Sequence, residues 1–323
     1  MSQPLVVVGS VNADLVLRVE RLPAPGETIG AASLELFPGG KGANTAAAAA
    51  KLGRSFGTFF VGAVGSDSNA APLRAALGGA GVRLNHLREV VAPTGTAVIL
   101  LQDSGENSII IVGGANQAPE AWQLSADALQ LIAGAGALLL QREIPEAVNV
   151  AVAEAAAAAG VPVVLLDAGG VDAPLSGELL RHLTVISPNE TELQRLTGLP
   201  TASEAELLAA AAALQRAAVE QRGGGGGAAP AVLLKLGAAG SMLLGPDGAV
   251  VRQPAVPAPR VVDTTGAGDC FTAAFAVALL EGRPPAAAMA FAAAAASICV
   301  SRPGAMPSLP SREELEALLA RAG

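Results

Sequence analysis

Residues 262–271 read V-D-T-T-G-A-G-D-C-F, and this stretch decides how the chain folds. Small residues at 266–268 lead into Asp269, and a nearly unbroken apolar run follows from Cys270 to Leu280. The pattern predicts a strand edge, then a glycine turn, then a buried helix. Free N–H groups point outward at such a helix start, where the helix dipole is positive, so an anion can bind beside Asp269. The alternative is an ordinary helix start in which Asp269 stabilises the dipole.

The composition of the chain limits its class. Its 323 residues suffice for one large α/β domain or two smaller ones. Hydrophobic residues make up 51%, but much of that share is alanine, and the longest apolar stretch, 286–300, is too short to span a bilayer. A net charge of −8 and an aromatic share of 2% argue against binding to nucleic acid. We therefore expect neither a membrane nor a nucleic-acid partner.

The two cysteines and the first residues bear on the compartment. Cys270 and Cys299 fall inside apolar helical patterns and are interpreted as buried side chains. There is no disulfide framework or zinc spacing, which fits a reducing compartment. The chain enters an apolar run at residue 4 without a signal-peptide pattern. We expect a cytoplasmic protein; the alternative is an organellar form from which a transit peptide has been removed.

Short apolar runs alternate with helical patterns along most of the chain. The first run, 4–8, ends at Gly9-Ser10 and is typical of a buried parallel strand. The alternation becomes regular from residue 125 onward. It predicts an α/β fold with a doubly wound, mainly parallel sheet and helices on both faces, in a single domain over residues 1–323.

Two stretches of strand-like alternation break this pattern and are interpreted as a small second sheet. The first covers about 14–38, with strand structure expected from Thr28 to Phe37, and the second covers about 95–113. A hairpin turn is predicted at 103–107. If the two stretches pair, they form a lid or a dimer contact. Five glycines at 223–227 are interpreted as a surface insertion.

Polar side chains stand at predicted strand ends and turns near the N-terminus. Asn12 and Asp14 follow the first strand two residues apart, so both face the same side at the edge where α/β sheets bind ligands. A second glycine-rich turn at 38–44 places the donors Lys41 and Asn44 at a helix start, without the spacing of a Walker A loop. The alternative for this second turn is a plain strand-to-helix connection with a solvated lysine.

Three further polar residues occupy similar positions in the middle of the chain. They are Glu143, Asn189 and Glu192. Each has an ordinary alternative, because Asn189 can cap its helix, Glu192 can complete that cap, and Glu143 can be a loop charge.

Seven motifs, in order along the chain, resemble those of the ribokinase (PfkB) family of carbohydrate kinases. They are G-S-V-N-A-D-L at 9–15, P-G-E-T at 25–28, G-G-K-G-A-N at 39–44, G-A-V-G-S-D at 62–67, N-E-T-E at 189–192, D-T-T-G-A-G-D at 263–269 and S-R-P-G-A-M-P-S at 301–308. The motif at 263–269 specifies the family, and those at 9–15 and 39–44 favour ribose over other sugars. The resemblance implies ATP-dependent phosphorylation of D-ribose at its 5-hydroxyl, on a ribokinase-like fold.

The resemblance also implies a role for each matched position. Asp269 would be the general base, next to an anion hole formed by the N–H groups of Gly266, Ala267 and Gly268. The sugar would be bound by Asn12, Asp14, Gly40, Lys41, Gly42, Asn44, Glu143 and Asp269. The nucleotide would contact Asn189, Lys235, Gly237, Gly240 and Gly268. Lys235 departs from the T-L-G that bacterial members often carry, and we interpret it as a variant nucleotide contact.

Two ions and a partner follow from the same resemblance. Asn189 and Glu192 would organise Mg²⁺ on the ATP phosphates through water. An activating K⁺ would be bound, in part through backbone carbonyls, by Asp263, Thr265, Cys299, Arg302, Gly304 and Ser308. The chain would form a homodimer through the lid. The alternatives are a kinase for another sugar or a nucleoside, and a sugar-binding homologue without activity.

Overall fold

A computed structural model describes residues 3–102, 106–222 and 228–322 of the chain. The insertion predicted at 223–227 and most of the hairpin turn predicted at 103–107 lie outside these residues. No helix in the described part of the chain is long and apolar enough to cross a membrane.

The described residues contain thirteen strands. In chain order they are β1 (Leu5–Val8), β2 (Asn12–Val19), β3 (Ser33–Gly39), β4 (Thr58–Gly65), β5 (Arg83–Val90), β6 (Gly95–Gln102), β7 (Asn107–Val112), β8 (Ala137–Leu140), β9 (Val163–Asp167), β10 (Val185–Ser187), β11 (Ala231–Lys235), β12 (Ser241–Leu244) and β13 (Val250–Gln253).

The same described residues contain ten α-helices. They are α1 (Lys41–Leu52), α2 (Ala70–Gly79), α3 (Ala126–Ala133), α4 (Glu146–Ala158), α5 (Gly177–Leu180), α6 (Glu190–Thr197), α7 (Glu204–Glu220), α8 (Ala267–Leu280), α9 (Pro285–Cys299) and α10 (Arg312–Ala322).

Nine of the described strands form one sheet, in the order β13-β12-β11-β10-β9-β8-β1-β4-β5. Neighbours from β11 to β5 pair in parallel, and β12 and β13 extend the sheet as an antiparallel edge. The chain adds strands to one side of β1 first, as β4 and β5, and then to its other side, from β8 to β11. The connecting helices therefore lie on both faces of the sheet. The predicted fold class, a doubly wound and mainly parallel α/β sheet, is confirmed.

The central strand β1 shows why the parallel strands appear as unbroken apolar runs. Leu5 and Val7 point into the core shared with α1, α8 and α9, whereas Val6 and Val8 point into the core shared with α4, α6 and α7. All four side chains are buried. Because successive side chains of a strand point to opposite faces, a strand covered on both faces needs an apolar residue at every position.

A second sheet of four described strands has the order β3-β2-β6-β7. β2 and β6 pair in parallel, so the two interrupting stretches do come together. The expected strand from Thr28 was wrong, because β3 begins at Ser33. Ser33 pairs with Arg18, one residue before β2 ends at Val19, so residues 28–32 have no strand opposite them.

The predicted strand edge before residue 266 was also wrong. Residues 254–264 form no strand. The N–H groups of Val262 and Asp263 both donate to the carbonyl of Val300, at 2.8 and 3.3 Å, just after α9. This stretch is therefore held by a helix end and not by a neighbouring strand.

Candidate active site

Asp269 lies in the first turn of α8, and its side chain turns toward α1. Gly266 precedes the helix with a φ of 76°, a left-handed conformation that favours glycine. The Asp269 carboxylate accepts a hydrogen bond of 2.9 Å from Asn44 Nδ2, and its other oxygen lies 3.4 Å from Lys41 Nζ. The residue is only 5% exposed. Because its partners belong to α1, Asp269 does more than stabilise the dipole of its own helix, which was the alternative interpretation.

The turn before α8 leaves backbone donors for an anion. The N–H of Ala267 donates to the carbonyl of Thr264 at 3.2 Å, so one of the three predicted anion-hole groups is already engaged. Within the described residues, the N–H groups of Gly266 and Gly268 have no backbone acceptor. These two N–H groups therefore remain for an anion at the positive end of the helix dipole.

Asn44 carries an unused acceptor in this region. Its Nδ2 is occupied by Asp269, and its Oδ1 is buried with no hydrogen-bond partner in the described part of the chain. Buried polar atoms normally have partners, so this oxygen is suited to accept a hydroxyl of a ligand.

Glu143 joins the start of α1 to the end of β1. Its Oε2 accepts hydrogen bonds from Ser10 Oγ at 2.6 Å, from the Lys41 N–H at 3.0 Å and from Asn12 Nδ2 at 3.5 Å. Because all of these contacts fall on Oε2, the other oxygen, Oε1, remains available as an acceptor. Ser10 also holds the glycine-rich turn, because its hydroxyl accepts a hydrogen bond of 3.3 Å from the N–H of Gly42.

Asn116 was missed by the sequence reasoning. Its Nδ2 donates to the Oδ1 of Asn12 at 2.8 Å and to the carbonyl of Val11 at 3.0 Å, and its Oδ1 accepts from the N–H of Val11 at 2.9 Å. The Asn116 side chain therefore bonds both backbone groups of Val11, as a residue of a neighbouring strand would, and it also orients the side chain of Asn12. The G-G-A-N at 113–116 was the one local signal, and it matched no motif used above.

Asp14 lies on β2 in an acidic environment. A Cβ atom on Gly39, which is in the adjacent strand β3, would lie 1.9 Å from the Asp14 carboxylate, so glycine makes the space for this side chain. Burial, followed by the charges of Glu143 and Asp269, raises the pKa of Asp14 to about 7. Asp14 can therefore carry a proton close to neutral pH.

Lys41 supplies a positive charge to this acidic region. The pKa of its ammonium group lies above the ordinary lysine value, chiefly because of Asp269; desolvation opposes the shift, and Asp167, Glu143 and Glu192 add to it. The ammonium group therefore stays charged at every pH at which the protein would work. A Cβ on Gly169 would lie 2.8 Å from Lys41 Nζ and 2.9 Å from Glu192 Oε1, so glycine leaves room for both charged groups.

Asn189 and Glu192 form the cap of α6. The Asn189 Oδ1 accepts from the N–H of Glu192, and the Glu192 Oε2 accepts from the N–H of Asn189, both at 2.8 Å. The helix-cap alternative considered for these two residues is thus what the structure shows. Glu192 keeps Oε1, on the side of Lys41, as its remaining acceptor.

Lys235 and Asp167 form a second charged pair, of which the sequence analysis predicted only Lys235 as a site residue. Lys235 Nζ lies 2.5 Å from Asp167 Oδ2. Asp167 also accepts from Thr272 Oγ1 and from the N–H of Gly169, both at 2.9 Å. Desolvation alone would raise the pKa of Asp167, but the charges of Lys235 and Lys41 and the hydrogen bonds from Lys235 and from the N–H of Gly169 outweigh it and hold the pKa below its ordinary value. Asp167 ends β9. A polar residue at the carboxyl end of a predicted parallel strand is the signal that pointed to Asn12, and the same signal points to Asp167.

A largely apolar cavity of about 560 Å³ opens on the other side of the turn. Four of the predicted nucleotide residues line it, namely Lys235, Gly237, Gly240 and Gly268. Asn189 joins them through its backbone, which forms an isolated parallel bridge with Lys235. The apolar wall comes mostly from small side chains of residues 255–258 and of α9. Such a cavity suits a flat heterocycle with its charged end toward Lys235.

The residues predicted to bind a monovalent cation gather behind the same turn. The two oxygens of Asp263 accept from the N–H groups of Thr265 at 2.9 Å and of Gly304 at 2.8 Å. Ser308 Oγ donates to a backbone carbonyl at 2.7 Å and lies 3.0 Å from Cys299 Sγ.

Arg302 takes a different direction from the other predicted cation ligands. Its guanidinium group pairs with Glu314 of α10. A guanidinium group is itself a cation with no acceptor, so only the backbone carbonyl of Arg302 could serve as a ligand.

Comparison with known proteins places the chain in a class. It matches the pfkB family of carbohydrate kinases over residues 2–312. A curated relative from Arabidopsis thaliana, named ribokinase, is 50% identical over 98% of this chain and 81% of its own length. One from Bacillus subtilis, also named ribokinase, is 38% identical over 98% of this chain and 99% of its own length.

A solved structure agrees with the sequence comparison. The structure of Arabidopsis thaliana ribokinase complexed with ribose and ATP matches with a TM-score of 0.89 and 49% identity, over 99% of both chains. The fold and the site therefore define a carbohydrate kinase, and the chain belongs to the pfkB family.

The raised pKa of Asp14 predicts a stability contribution that depends on pH. The folded chain holds the Asp14 proton up to about pH 7, whereas the unfolded chain releases it near pH 4. Since the folded state binds more protons in between, this contribution is complete below about pH 4 and is lost as the pH rises through about 7, at no more than ~1.4 kcal/mol per pH unit. We expect the wild type to lose stability relative to Asp14→Asn over this range, measured by urea unfolding. Parallel curves would contradict this, and Glu220→Gln, at an exposed site, is the control.

Proposed function

We propose that this chain transfers the γ-phosphoryl group of ATP to the 5-hydroxyl of D-ribose and so forms ribose 5-phosphate. One observation carries the proposal: the buried carboxylate of Asp269 stands at the start of α8, beside free N–H groups, between the polar side chains of α1 and an apolar cavity lined by Gly268. The relatives named ribokinase, one of them solved with ribose and ATP, support the choice of substrates.

In the proposed reaction, Asp269 accepts the proton of the 5-hydroxyl as that oxygen attacks the γ-phosphorus. The bond from phosphorus to the ADP oxygen breaks, and the proton remains on the carboxylate. The hydrogen bond from Asn44 orients this carboxylate before the substrate arrives. The N–H groups of Gly266 and Gly268 donate to the oxygens of the transferring group, and Lys41 adds positive charge from the sugar side.

The sugar is recognised by acceptors that the protein itself leaves unused. These are the Oε1 of Glu143, the Oδ1 of Asn44 and the carboxyl group of Asp14, with Asn12 held in place beside them. Such groups suit the vicinal hydroxyls of a small pentose. The two lid stretches contain one aromatic residue, Phe37, so they offer little to stack on a purine on the sugar side, which favours a sugar over a nucleoside as the acceptor.

The donors near α6 fit a hydrated Mg²⁺. Asn189 has committed its oxygen to the helix cap, so Glu192 Oε1 would hold the ion through its water shell. When bound, Mg²⁺ neutralises charge on the ATP phosphates. The charge of Glu192 also favours the charged form of the nearby Lys41.

The donors behind the turn fit K⁺. A carboxylate has about four lone-pair positions, and each oxygen of Asp263 uses one for a backbone N–H, so capacity remains for a cation. A cation there would hold the turn before α8 against the loop after α9.

We expect Asp269→Asn to lower kcat for ribose by ~10²–10⁴, because the amide cannot accept the proton. Asp247→Asn, on an exposed loop, is the control. Phosphorylation of ribose, fructose and adenosine by the wild type tests the substrate in parallel. A loss of only a few-fold in Asp269→Asn would refute the mechanism, and faster turnover of adenosine than of ribose would refute the substrate.

The ion sites predict two separate dependences of ribose phosphorylation. Chelation by EDTA should abolish turnover, and added Mg²⁺ should restore it. Replacing K⁺ by a bulky organic cation at constant ionic strength should lower turnover in the wild type and have less effect in Asp263→Asn. Equal activity of the wild type in both salts would exclude the K⁺ site.

The four-stranded sheet supports a homodimer through the lid. Its register aligns Leu36, Leu15, Val98 and Ile110 in one row across the strands. Period 2 places these side chains on the face opposite Asp14. Leu36 is 50% exposed and Ile110 is 59% exposed. An aliphatic face of this kind on a monomer is typical of an interface, and we propose that a second copy of the chain covers it.

Ile110→Glu tests the dimer, because it places a charge at an exposed position of this face. We expect the wild type to sediment at twice the monomer mass of 31.8 kDa and the variant to sediment as a monomer. Val91→Glu, at a 99% exposed position outside the small sheet, should leave the mass unchanged. A monomeric wild type would refute the proposal.

A further inference from the structure

The pair of Asp167 and Lys235 spans three neighbouring strands of the main sheet. Asp167 ends β9, Lys235 ends β11, and β10 lies between them. The β10 residue paired with Asp167 is Ser187, whose small side chain allows the two longer ones to meet above it. The Lys235 backbone is fixed as well, because its N–H donates to the carbonyl of Pro188 at 2.9 Å.

Asp167 is held on three sides, independently of any ligand. Lys235 Nζ lies at 2.5 Å, and Thr272 Oγ1 and the N–H of Gly169 lie at 2.9 Å each. Thr272 is on α8, one turn beyond Asp269, so this acid is tied to the helix whose start receives the phosphoryl group. If Lys235 turned toward another anion, the other two donors would still satisfy the carboxylate.

The ammonium group of Lys235 lies next to the turn that forms the proposed anion hole. Its Nζ is 3.8 Å from the position that a Cβ on Gly268 would take. The side chain is 14% exposed and lines the apolar cavity. Lys41 Nζ lies 3.4 Å from Asp269. Both lysines therefore lie near the start of α8, Lys41 paired with Asp269 and Lys235 paired with Asp167.

We propose that Lys235 binds a phosphate of the nucleotide and that Asp167 is a positioning residue that holds the Lys235 ammonium group beside Gly268. This inference rests on the proposed function. A free lysine side chain samples many rotamers, and fixing one in advance reduces the entropy lost on binding. When ATP enters, the ammonium group needs to move only from one oxygen anion to another.

The test measures nucleotide binding directly. ADP without metal is titrated calorimetrically into the wild type, Lys235→Met, Lys235→Arg, Asp167→Asn and the double variant Lys235→Met/Asp167→Asn. We expect Lys235→Met to weaken ADP binding about tenfold, the size of one charged hydrogen bond, and Lys235→Arg to restore part of the loss. Ribose affinity should change less than about twofold, because the sugar contacts lie on the other side of Asp269. Arg252→Met, which removes an exposed ion pair with Glu204, is the matched control.

The double variant separates positioning from a purely structural pair. If Asp167 acts through Lys235, Asp167→Asn also weakens ADP binding, and the double variant is no weaker than Lys235→Met alone. The double variant also keeps the pair uncharged, so it stays informative if a single variant fails to fold. Unchanged ADP affinity in Lys235→Met, or losses that simply add, would overturn the inference. Absence of ribose phosphorylation with normal ADP binding by the wild type would refute the proposed function instead.

Discussion

The hydrogen bond from Asn44 to Asp269 fixes the starts of two helices against each other. The two residues are 225 positions apart in the chain, yet their side chains meet at 2.9 Å. This approach depends on a glycine before each helix, Gly40 with a φ of 91° and Gly266 with a φ of 76°. Within the first turn of α1, a Cβ on Gly42 would lie 2.5 Å from the backbone nitrogen of Ser10. Larger residues at these positions would push α1 away from β1 and α8, and the site would open.

The same constraint brings the acids of the site close together, and their environments then separate their roles. Asp14 faces Glu143 and Asp269, and its pKa rises to about 7. Asp167 ends a strand of the main sheet and contacts Lys235 and two neutral donors, and its pKa lies below the ordinary value, chiefly because of Lys235 and Lys41. One acid can therefore exchange a proton near neutral pH, whereas the other stays ionised and keeps a lysine in place.

The sequence predicted the parts of the fold whose signal is local. Continuous apolar runs predicted the parallel strands, because a strand buried on both faces has no polar position, as β1 shows. The two wrong predictions, Thr28 and Val262, both concern residues without a neighbouring strand. A short window of sequence cannot show whether a partner strand will be present, and strand formation depends on that partner.

Two site residues were missed for the same reason, because a short window of sequence does not show which distant loops will become neighbours. Asn116 and Ser10 act by holding Asn12 and Glu143, and such partners come from whichever loops the topology brings to the end of β1. Asp167 is different, because its place at the end of a parallel strand is visible in the sequence. It lies outside the seven motifs that carry the resemblance, although its position alone predicts a ligand-facing side chain.

The close packing behind the turn explains why alanine is so abundant here. A Cβ on Gly266 would lie 3.0 Å from Ala305, so the turn before α8 and the loop after α9 touch through their backbones. That contact requires α8 and α9 to run close together, and their buried faces consist largely of alanine. Larger side chains between these helices would separate Asp263 from Gly304 and release the turn that presents the free N–H groups. The alanine content of these helices is therefore part of how the anion site is kept in shape.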